Sequence, residues 1–274
     1  MAEKSKKYTG TLPTLKLIKT NKQVIDDACL WAYWIAFDNK FHYGYTNKSK
    51  GISAHHNGCY FCGTNVNHGS RSKKGIVDYK RTYCCNPFVG AAWAHGGGIP
   101  KALNMCEHGG SWDFNKGHGY DICSLFDHKG HPNIKKLKKG DVLCNDHHVA
   151  LYVGDGKIAE ASGSDDNVKN SKKWNNSIHV IKLTKKRYKS FPRVYRYNSS
   201  VKTTTALRHG EVSDRIPQWQ QFLDWYFDGK VGKPDRYFGD NTFKWTKKFQ
   251  KAVGLKPDGV VGDKTLRKAA KVEK

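Results

Sequence analysis

The chain has 274 residues and a formal net charge of +24 at pH 7, from 48 Lys and Arg against 24 Asp and Glu. Two domains of ordinary size, ~100 to 200 residues each, fit this length, and the charge favours polyanionic partners. The basic residues are dispersed in short groups, and no motif typical of DNA or RNA readers occurs. The composition therefore argues against a specific nucleic-acid-binding protein.

The N-terminal region predicts neither a signal peptide nor a membrane span. Met1 to Lys7 is basic, but residues 8–20 lack the continuous apolar core that a signal peptide needs. The most apolar run, residues 28–37, is too short to cross a bilayer. We predict that this run forms a buried or amphipathic helix, and that the chain carries no export signal.

The cysteine spacing raises the question of a metal. Cys59 and Cys62 form one Cys-x-x-Cys pair, with His55, His56 and His68 nearby. This spacing can bind zinc, but a second pair would be needed for a strong pattern. Core thiols kept reduced are the alternative. We predict no cofactor, and Cys59 and Cys62 are the pair from which a structural zinc site would be built.

A helix start is predicted around Cys85. Pro87 favours the first helical turn, Asn86 can act as a cap, and Gly96 ends the run. Unpaired backbone N–H groups and the helix dipole favour the thiolate at such a position. An isolated free cysteine is more often a buried, inert residue, so the partners of Cys85 decide its role. The predicted apolar face of this helix contains Phe88, Val89, Ala92 and Trp93.

A predicted hairpin supplies those partners. Residues 149–153 read as a strand after His148, and residues 157–162 as the returning strand after the Gly-Asp-Gly turn at 154–156. A three-residue loop pairs Val153 with Lys157 and places Glu160 on the face of His148. A two-residue turn places Glu160 on the opposite face. Both alternatives are open at this point.

These motifs resemble those of the NlpC-type and CHAP-type papain-like cell-wall peptidases. The resemblance rests on residues 85–89, on residues 148–154 and on the Gly-Asp-Val at 140–142. It implies an α+β fold in which a helix bearing the cysteine packs on a small antiparallel sheet. It also implies the roles of nucleophile for Cys85, base for His148 and orienting group for Glu160.

The sequence departs from the common Asp-Cys-Ser-Gly-Phe pattern of that family. Cys84 precedes the predicted nucleophile, and Asn-Pro follows it. The phase of the helix favours Cys85 over Cys84. By the same resemblance, the region before the nucleophile lines the substrate groove. The predicted substrate-binding residues are Tyr79, Tyr83, Asn86 and His147.

The C-terminal third contains an internal repeat. Residues 235–242 and 258–265 share an Asp-led turn, a Gly and an Asp-x-Thr helix start. Three short helices follow from this reading. The segment 207–274 resembles the peptidoglycan-binding domain type 1, which implies a small three-helix wall-binding domain. The predicted apolar stripes are Ile216, Trp219, Phe222, Leu223 and Tyr226; Phe243, Trp245, Phe249 and Val253; and Leu266 with Ala269.

The two resemblances divide the chain into a catalytic domain at 1–198, an exposed linker at 199–206 and a wall-binding domain at 207–274. Together they imply a bacteriophage endolysin, a peptidoglycan hydrolase that is expected to cut as a D-glutamyl-diamino acid endopeptidase. An N-acetylmuramoyl-L-alanine amidase is the alternative bond specificity. A non-catalytic wall-binding protein is the alternative of another class.

The expected partners and location follow from the same resemblance. The partners are peptidoglycan and, through the positive charge, teichoic acids, with no specific nucleic acid and no membrane span. We expect a monomer that stays in the host cytoplasm until a holin-type route releases it to the wall.

Overall fold

The structure is a computed structural model that describes residues 6–38, 41–43, 52–58, 60–62, 65–71, 82–83, 85–103, 125–162, 178–199, 201–204 and 206–273. The chain is mixed α/β and divides into two compact units. The larger unit contains residues 20–201, and the smaller unit combines residues 1–19 with 202–274.

In chain order, the helices and strands are β1 (Leu17–Thr20), α1 (Asn21–Phe37), β2 (His42–Tyr43), β3 (Ile52–Gly58), β4 (Asn65–Arg71), β5 (Thr82–Tyr83), α2 (Cys85–Ala91), β6 (Phe126–His128), β7 (Val142–Cys144), β8 (Val149–Gly154), β9 (Lys157–Ala161), β10 (Ile178–Lys182), α3 (Lys185–Tyr188), β11 (Arg193–Tyr197), β12 (Val201–Thr204), α4 (Ile216–Tyr226), α5 (Asp240–Ala252) and α6 (Asp263–Ala269).

A six-stranded antiparallel sheet forms the centre of the larger unit. Its strand order is β10-β9-β8-β7-β11-β6. Two separate pairs accompany it, parallel β2 with β5 and antiparallel β3 with β4. The middle strands are buried on both faces, since neighbours such as Ala150 and Leu151 are both fully buried. This explains why these strands read as continuous apolar runs.

Helices α1 and α2 pack against the β8 and β9 side of this sheet. A capping box starts α1, in which Thr20 and Gln23 bond each other's backbone N–H groups. Residues 28–37 lie within α1, and most of its inward positions are fully buried, which confirms the helix predicted there.

The helix predicted at Cys85 is also confirmed. It begins at that residue as α2 and continues through a π-helical turn that ends at Gly96. Gly96 allows α1 to approach closely, because a Cβ there would lie 2.5 Å from the Asp27 carbonyl oxygen. The residues predicted to form the apolar face are all fully buried, namely Phe88, Val89, Ala92 and Trp93.

The β8–β9 turn is the shorter of the two alternatives that the sequence left open. Gly154 pairs with Lys157, so the turn has two residues, Asp155 and Gly156, both in the left-handed region. The pairing of Val153 with Lys157 was therefore wrong. Val153 instead forms a bulge, and beyond it Leu151 pairs with Ala159 in the register that the longer loop predicted. The bulge adds the residue that the shorter turn removes, so the face of Glu160 is restored.

The smaller unit contains the three predicted helices, α4, α5 and α6. They enclose an aromatic core in which Trp219, Phe222 and Phe249 are fully buried. Tyr8 belongs to the same unit, and its ring lies 5.3 Å from those of Phe222 and Trp225. Aromatic packing thus joins the N-terminal segment to this core.

The internal repeat corresponds to two loops that are each held by a buried glutamine. The Gln220 side-chain amide donates to Asp235, to the Tyr237 carbonyl and to Thr242. The Gln250 side-chain amide donates to the equivalent groups of the second copy, Asp258, Val260 and Thr265. In each copy the glutamine carbonyl accepts a backbone N–H from the same loop. The sequence repeat is therefore a repeated hydrogen-bond network.

The compact units differ from the sequence-based division at two places. Residues 1–19 group with the C-terminal unit, where the guanidinium of Arg215 bonds the carbonyls of Thr14 and Leu15. Within the predicted linker at 199–206, residues 201–204 form β12, which pairs with β1. The boundary residues 198 and 207 themselves stay a prediction. Among the described helices, none combines the length and apolar character needed to cross a bilayer.

Candidate active site

Cys85 and His148 meet at the N-terminal end of α2. Cys85 is a free, partly exposed thiol, and the His148 side chain is hydrogen-bonded to it. The other ring contact of His148 runs from Nε2 to Glu160, so Nδ1 is the nitrogen left for the thiol. Two elements that are distant in sequence therefore bring together the first two predicted residues.

The loop before β8 holds the backbone of His148. Its N–H donates to the Asn145 side-chain oxygen at 2.7 Å, and the N–H of His147 donates to the same oxygen at 2.8 Å. Asn145 in turn donates from its amide to the Ser190 carbonyl. Asn commonly organises such turns through side-chain bonds to the backbone two or three residues later. That signal could have identified Asn145 from the sequence.

Glu160 completes the set from β9. One carboxylate oxygen lies 2.7 Å from Nε2 of His148, and the Glu160 side chain is completely buried. This is the contact that the shared face predicted, and the Val153 bulge makes it possible. All three residues predicted as catalytic are thus brought into one contiguous chain of contacts.

Two further basic side chains contact the same carboxylate. Arg187, on α3, places Nη2 within 2.5 Å and 2.7 Å of the two carboxylate oxygens. His179, which pairs directly with Glu160 across β10 and β9, places Nε2 at 3.1 Å. Sequence reasoning missed both residues, because their approach depends on the register of β10 and the position of α3.

The electrostatics of the cluster follow from these contacts. Burial alone would raise the pKa of the Glu160 carboxyl, but hydrogen bonds from its three basic neighbours outweigh burial and hold that pKa well below its usual range. Burial alone would lower the pKa of His148, whereas its bonds to Cys85 and Glu160 raise it to about 9. The imidazole is therefore positively charged at neutral pH.

The buried thiol of Cys29 provides a contrast within the same unit. Burial raises the pKa of Cys29 to about 12, so this thiol stays protonated at neutral pH. Cys85, by comparison, is partly exposed and faces a cation. Thiols next to a protonated histidine are the nucleophilic ones. The arrangement can therefore support attack by sulfur on an electrophilic carbon.

The predicted substrate-binding residues have different surroundings. Tyr83 is fully buried, and its ring packs against Trp31 and Phe41, so the prediction that it lines a groove was wrong. Asn86, in the first turn of α2, is also buried, because its neighbours along that helix form the core. His147 is exposed next to His148. Tyr79 lies outside the described residues.

The choice between Cys84 and Cys85 and the possible zinc pair, Cys59 and Cys62, fall only partly on described residues. Cys84 and Cys59 lie outside the described residues, and Cys62 is exposed. Within the described ranges, no group of three or more His, Cys, Asp or Glu side chains is arranged to hold a metal ion.

Comparison with protein families identifies the smaller unit. Residues 213–268 match the family of peptidoglycan binding domains. The match includes α4 and α5, both glutamine-held loops and most of α6. The chain therefore carries a peptidoglycan-binding module, which indicates a protein associated with the cell wall.

Comparison of folds gives a distant match. The structure of a periplasmic domain of the EpsAB fusion protein of the Vibrio vulnificus type II secretion system is 15% identical, with a TM-score of 0.22. The alignment covers 53% of this chain and 64% of that chain. At this score the likeness carries no argument about fold or activity.

Proposed function

We propose that this protein is a peptidoglycan hydrolase that cleaves amide bonds of the wall by a thiol mechanism. The observation that carries the proposal is the chain of contacts from Cys85 through His148 to Glu160. A nucleophile, a base and an orienting carboxylate are the parts that acyl transfer needs. The peptidoglycan-binding module of the same chain supplies the substrate class.

In the first half-reaction, Cys85 Sγ attacks the carbonyl carbon of the scissile amide, and the carbonyl electron pair moves to oxygen. Backbone N–H groups at the start of α2 have no partner within the helix and are placed to stabilise that oxyanion. As the tetrahedral intermediate collapses, the C–N bond breaks and the leaving amine takes the proton of His148 Nδ1. A thioester to Cys85 remains.

In the second half-reaction, water attacks the thioester carbon and gives one proton to His148. The C–S bond breaks, the carboxylic acid leaves, and the thiolate and imidazolium are restored. Glu160 keeps the imidazole ring oriented throughout both halves, because its carboxylate accepts from Nε2 while Nδ1 exchanges protons.

The proposed bond is that between D-glutamate and the diamino acid of the stem peptide, and the muramoyl amide is the second candidate. Mass spectrometry of digested wall separates them. An endopeptidase leaves a new amino terminus on the diamino acid, whereas an amidase leaves a free lactyl carboxylate on muramic acid.

The proposal is tested by removing the nucleophile. Cys85→Ala and Cys85→Ser should reduce clearing of a wall suspension by at least ~1000-fold, because loss of the nucleophile removes the covalent route. Cys62→Ser is the matched control, an exposed thiol of the same unit that should keep wild-type activity. The Cys85 variants should still sediment with insoluble wall, because the binding module is unchanged.

Clearing by Cys85→Ala at the wild-type rate would reject the thiol mechanism. Wall binding by wild type without any new muropeptide would instead favour the second class, a non-catalytic wall-binding protein, which the family match at residues 213–268 also supports.

A further inference from the structure

The Glu160 carboxylate contacts more basic side chains than an orienting residue requires. His148 contacts it from the start of β8, His179 from β10 and Arg187 from α3. Ser162 is the remaining polar neighbour, at 3.4 Å. One buried acceptor therefore serves three basic side chains, and one of them, His148, is also hydrogen-bonded to Cys85.

The position of Arg187 is fixed by its own backbone. Thr184 caps α3 and accepts the Arg187 N–H at 3.2 Å, while the Ser190 hydroxyl donates to the Arg187 carbonyl at 2.7 Å. The backbone N–H and the carbonyl of Arg187 are thus both anchored. The guanidinium then meets both Glu160 oxygens through a single nitrogen.

This placement leaves one donor of the Arg187 side chain unsatisfied. Nε of Arg187 is buried and has no hydrogen-bond partner among the described protein groups. A buried donor without a partner destabilises the folded state. A residue selected only to neutralise Glu160 could place its fork on the carboxylate with two nitrogens, as Arg196 does on Asp141.

We propose that Arg187 is a positioning residue: its guanidinium fixes the Glu160 carboxylate and partly neutralises its charge, so that Glu160 orients His148 through Nε2 without stabilising the imidazolium too strongly for it to donate its Nδ1 proton. The inference rests on the proposed function for its meaning, but its geometry concerns only the cluster around Glu160.

The physical reason is a balance of charges. A buried carboxylate facing His148 alone would hold the imidazolium very strongly, and an acid that holds its proton too strongly is a poor donor to a leaving amine. A second cation on the same carboxylate weakens that hold by repulsion. Removing Arg187 should therefore make His148 harder to deprotonate and shift its titration to higher pH.

The test compares Arg187→Met and Arg187→Lys with Arg196→Met. Arg196 is the matched control, because it also pairs with a completely buried carboxylate in the same unit, that of Asp141. The readout is the rate of Cys85 alkylation by iodoacetamide against pH, measured on the peptide that contains Cys85. His148 titration by NMR gives a second reading.

The alkaline transition is the change in the Cys85 alkylation rate that accompanies deprotonation of His148. In Arg187→Met we expect its midpoint to move upward by roughly one pH unit, as removal of a nearby like charge does. Turnover on wall fragments should fall about tenfold, less than the ~100-fold or more expected on losing a general acid altogether, because His148 is weakened as an acid but not removed, with KM little changed. Arg187→Lys should restore part of both effects, and Arg196→Met should lower stability without moving the transition.

A transition of Arg187→Met that coincides with the wild-type one, or an equal shift in Arg196→Met, overturns the proposal. Alkylation and NMR need no wall substrate. A shifted transition in a protein that releases no muropeptides would therefore reject the proposed function and leave the role of Arg187 standing.

Discussion

Each unit of the molecule contains a buried polar hub, and the two hubs differ in charge. In the larger unit, the carboxylate of Glu160 accepts from Arg187 and from two histidines. In the smaller unit, the neutral amide of Gln250 bonds one loop at four points. Both satisfy the rule that buried polar groups find partners.

The difference separates a group suited to chemistry from one suited to architecture. The partners of Glu160 include groups that gain and lose protons, so the hub can change state during a reaction. An amide does not titrate, and its donors and acceptors keep their roles at every pH. Gln220 repeats the neutral design in the other loop of the module. The histidine partners of the Glu160 hub, which can gain and lose protons, therefore distinguish it as the candidate active site.

The largest effect is expected from giving the neutral hub a charge. Gln250→Glu keeps the shape but places a carboxylate oxygen against the Val260 carbonyl and the Asp258 carboxylate, where an amide donor stood. A buried charge without a partner costs about 3 to 5 kcal/mol. Calorimetry should show the transition of the smaller unit shifted strongly downward.

Gln221→Glu is the control for that variant. It makes the same substitution at an exposed position of α4, where surface changes usually stay within about 0.5 kcal/mol. If Gln250→Glu and Gln221→Glu shifted the unfolding temperature of the smaller unit equally, the Gln250 network would not be what holds the loop.

The reverse exchange should give the second largest effect. Glu160→Gln removes the charge and replaces one acceptor oxygen by an amide N–H group that faces other N–H donors. His148 therefore loses its acceptor or its orientation. We expect hydrolysis of a soluble stem peptide to fall about 100-fold, within the range of acid–base contributions. Glu211→Gln, at a buried glutamate of the smaller unit, should leave that rate unchanged. Full activity in Glu160→Gln would remove Glu160 from the proposed mechanism.

The sequence predicted the local parts of the site and missed those that depend on distant register. Cys85 was found because cap, proline and apolar spacing all lie within one helix. Glu160 was assigned to the right face through the wrong turn, since the pattern contains no sign of the Val153 bulge. Arg187 reaches the site only through the packing of α3, for which the sequence offers no periodicity.

The same contrast holds in the smaller unit. Its three helices and its repeat were predicted, because the stripes and the Asp-x-Thr starts are local. The role of the glutamines was not, since Gln220 and Gln250 stand at different distances from the loops that they bond. The place of Tyr8 in this core was also missed, as it lies at the opposite end of the chain.

The smallest effects are expected from pH, and they differ between the units. The pKa of Glu160 is lowered from 4.5, so its contribution to stability is present above that value and is lost as pH falls below it. The pKa of His148 is raised from 6.5 to about 9, so its contribution is full below 6.5 and is lost as pH rises through 9. The larger unit should therefore weaken at both extremes.

Glu211 in the smaller unit has the opposite response to acid. Burial raises the pKa of the Glu211 carboxyl by more than Arg215 and Lys19 lower it. The contribution of Glu211 to the stability of the folded state is therefore full below pH 4.5 and declines as pH rises through the shifted pKa. Calorimetry between pH 3.5 and 9.5 can follow both transitions, assigned by the shift in Gln250→Glu. Parallel acid responses in the two units would contradict these assignments.

The Val153 bulge shows that two different connections of equal length can give this hairpin the same strand pairing. His148 and Glu160 stand 12 residues apart along the chain. The connection between their paired strands consists of a two-residue turn and one extra strand residue, Val153. A three-residue turn between regular strands would use the same number. Exchanging one connection for the other at constant length leaves the pairing intact, whereas deleting a single residue turns the carboxylate away from its histidine. Chain length between the two groups, rather than any particular turn sequence, is the quantity that an engineer of this hairpin must preserve.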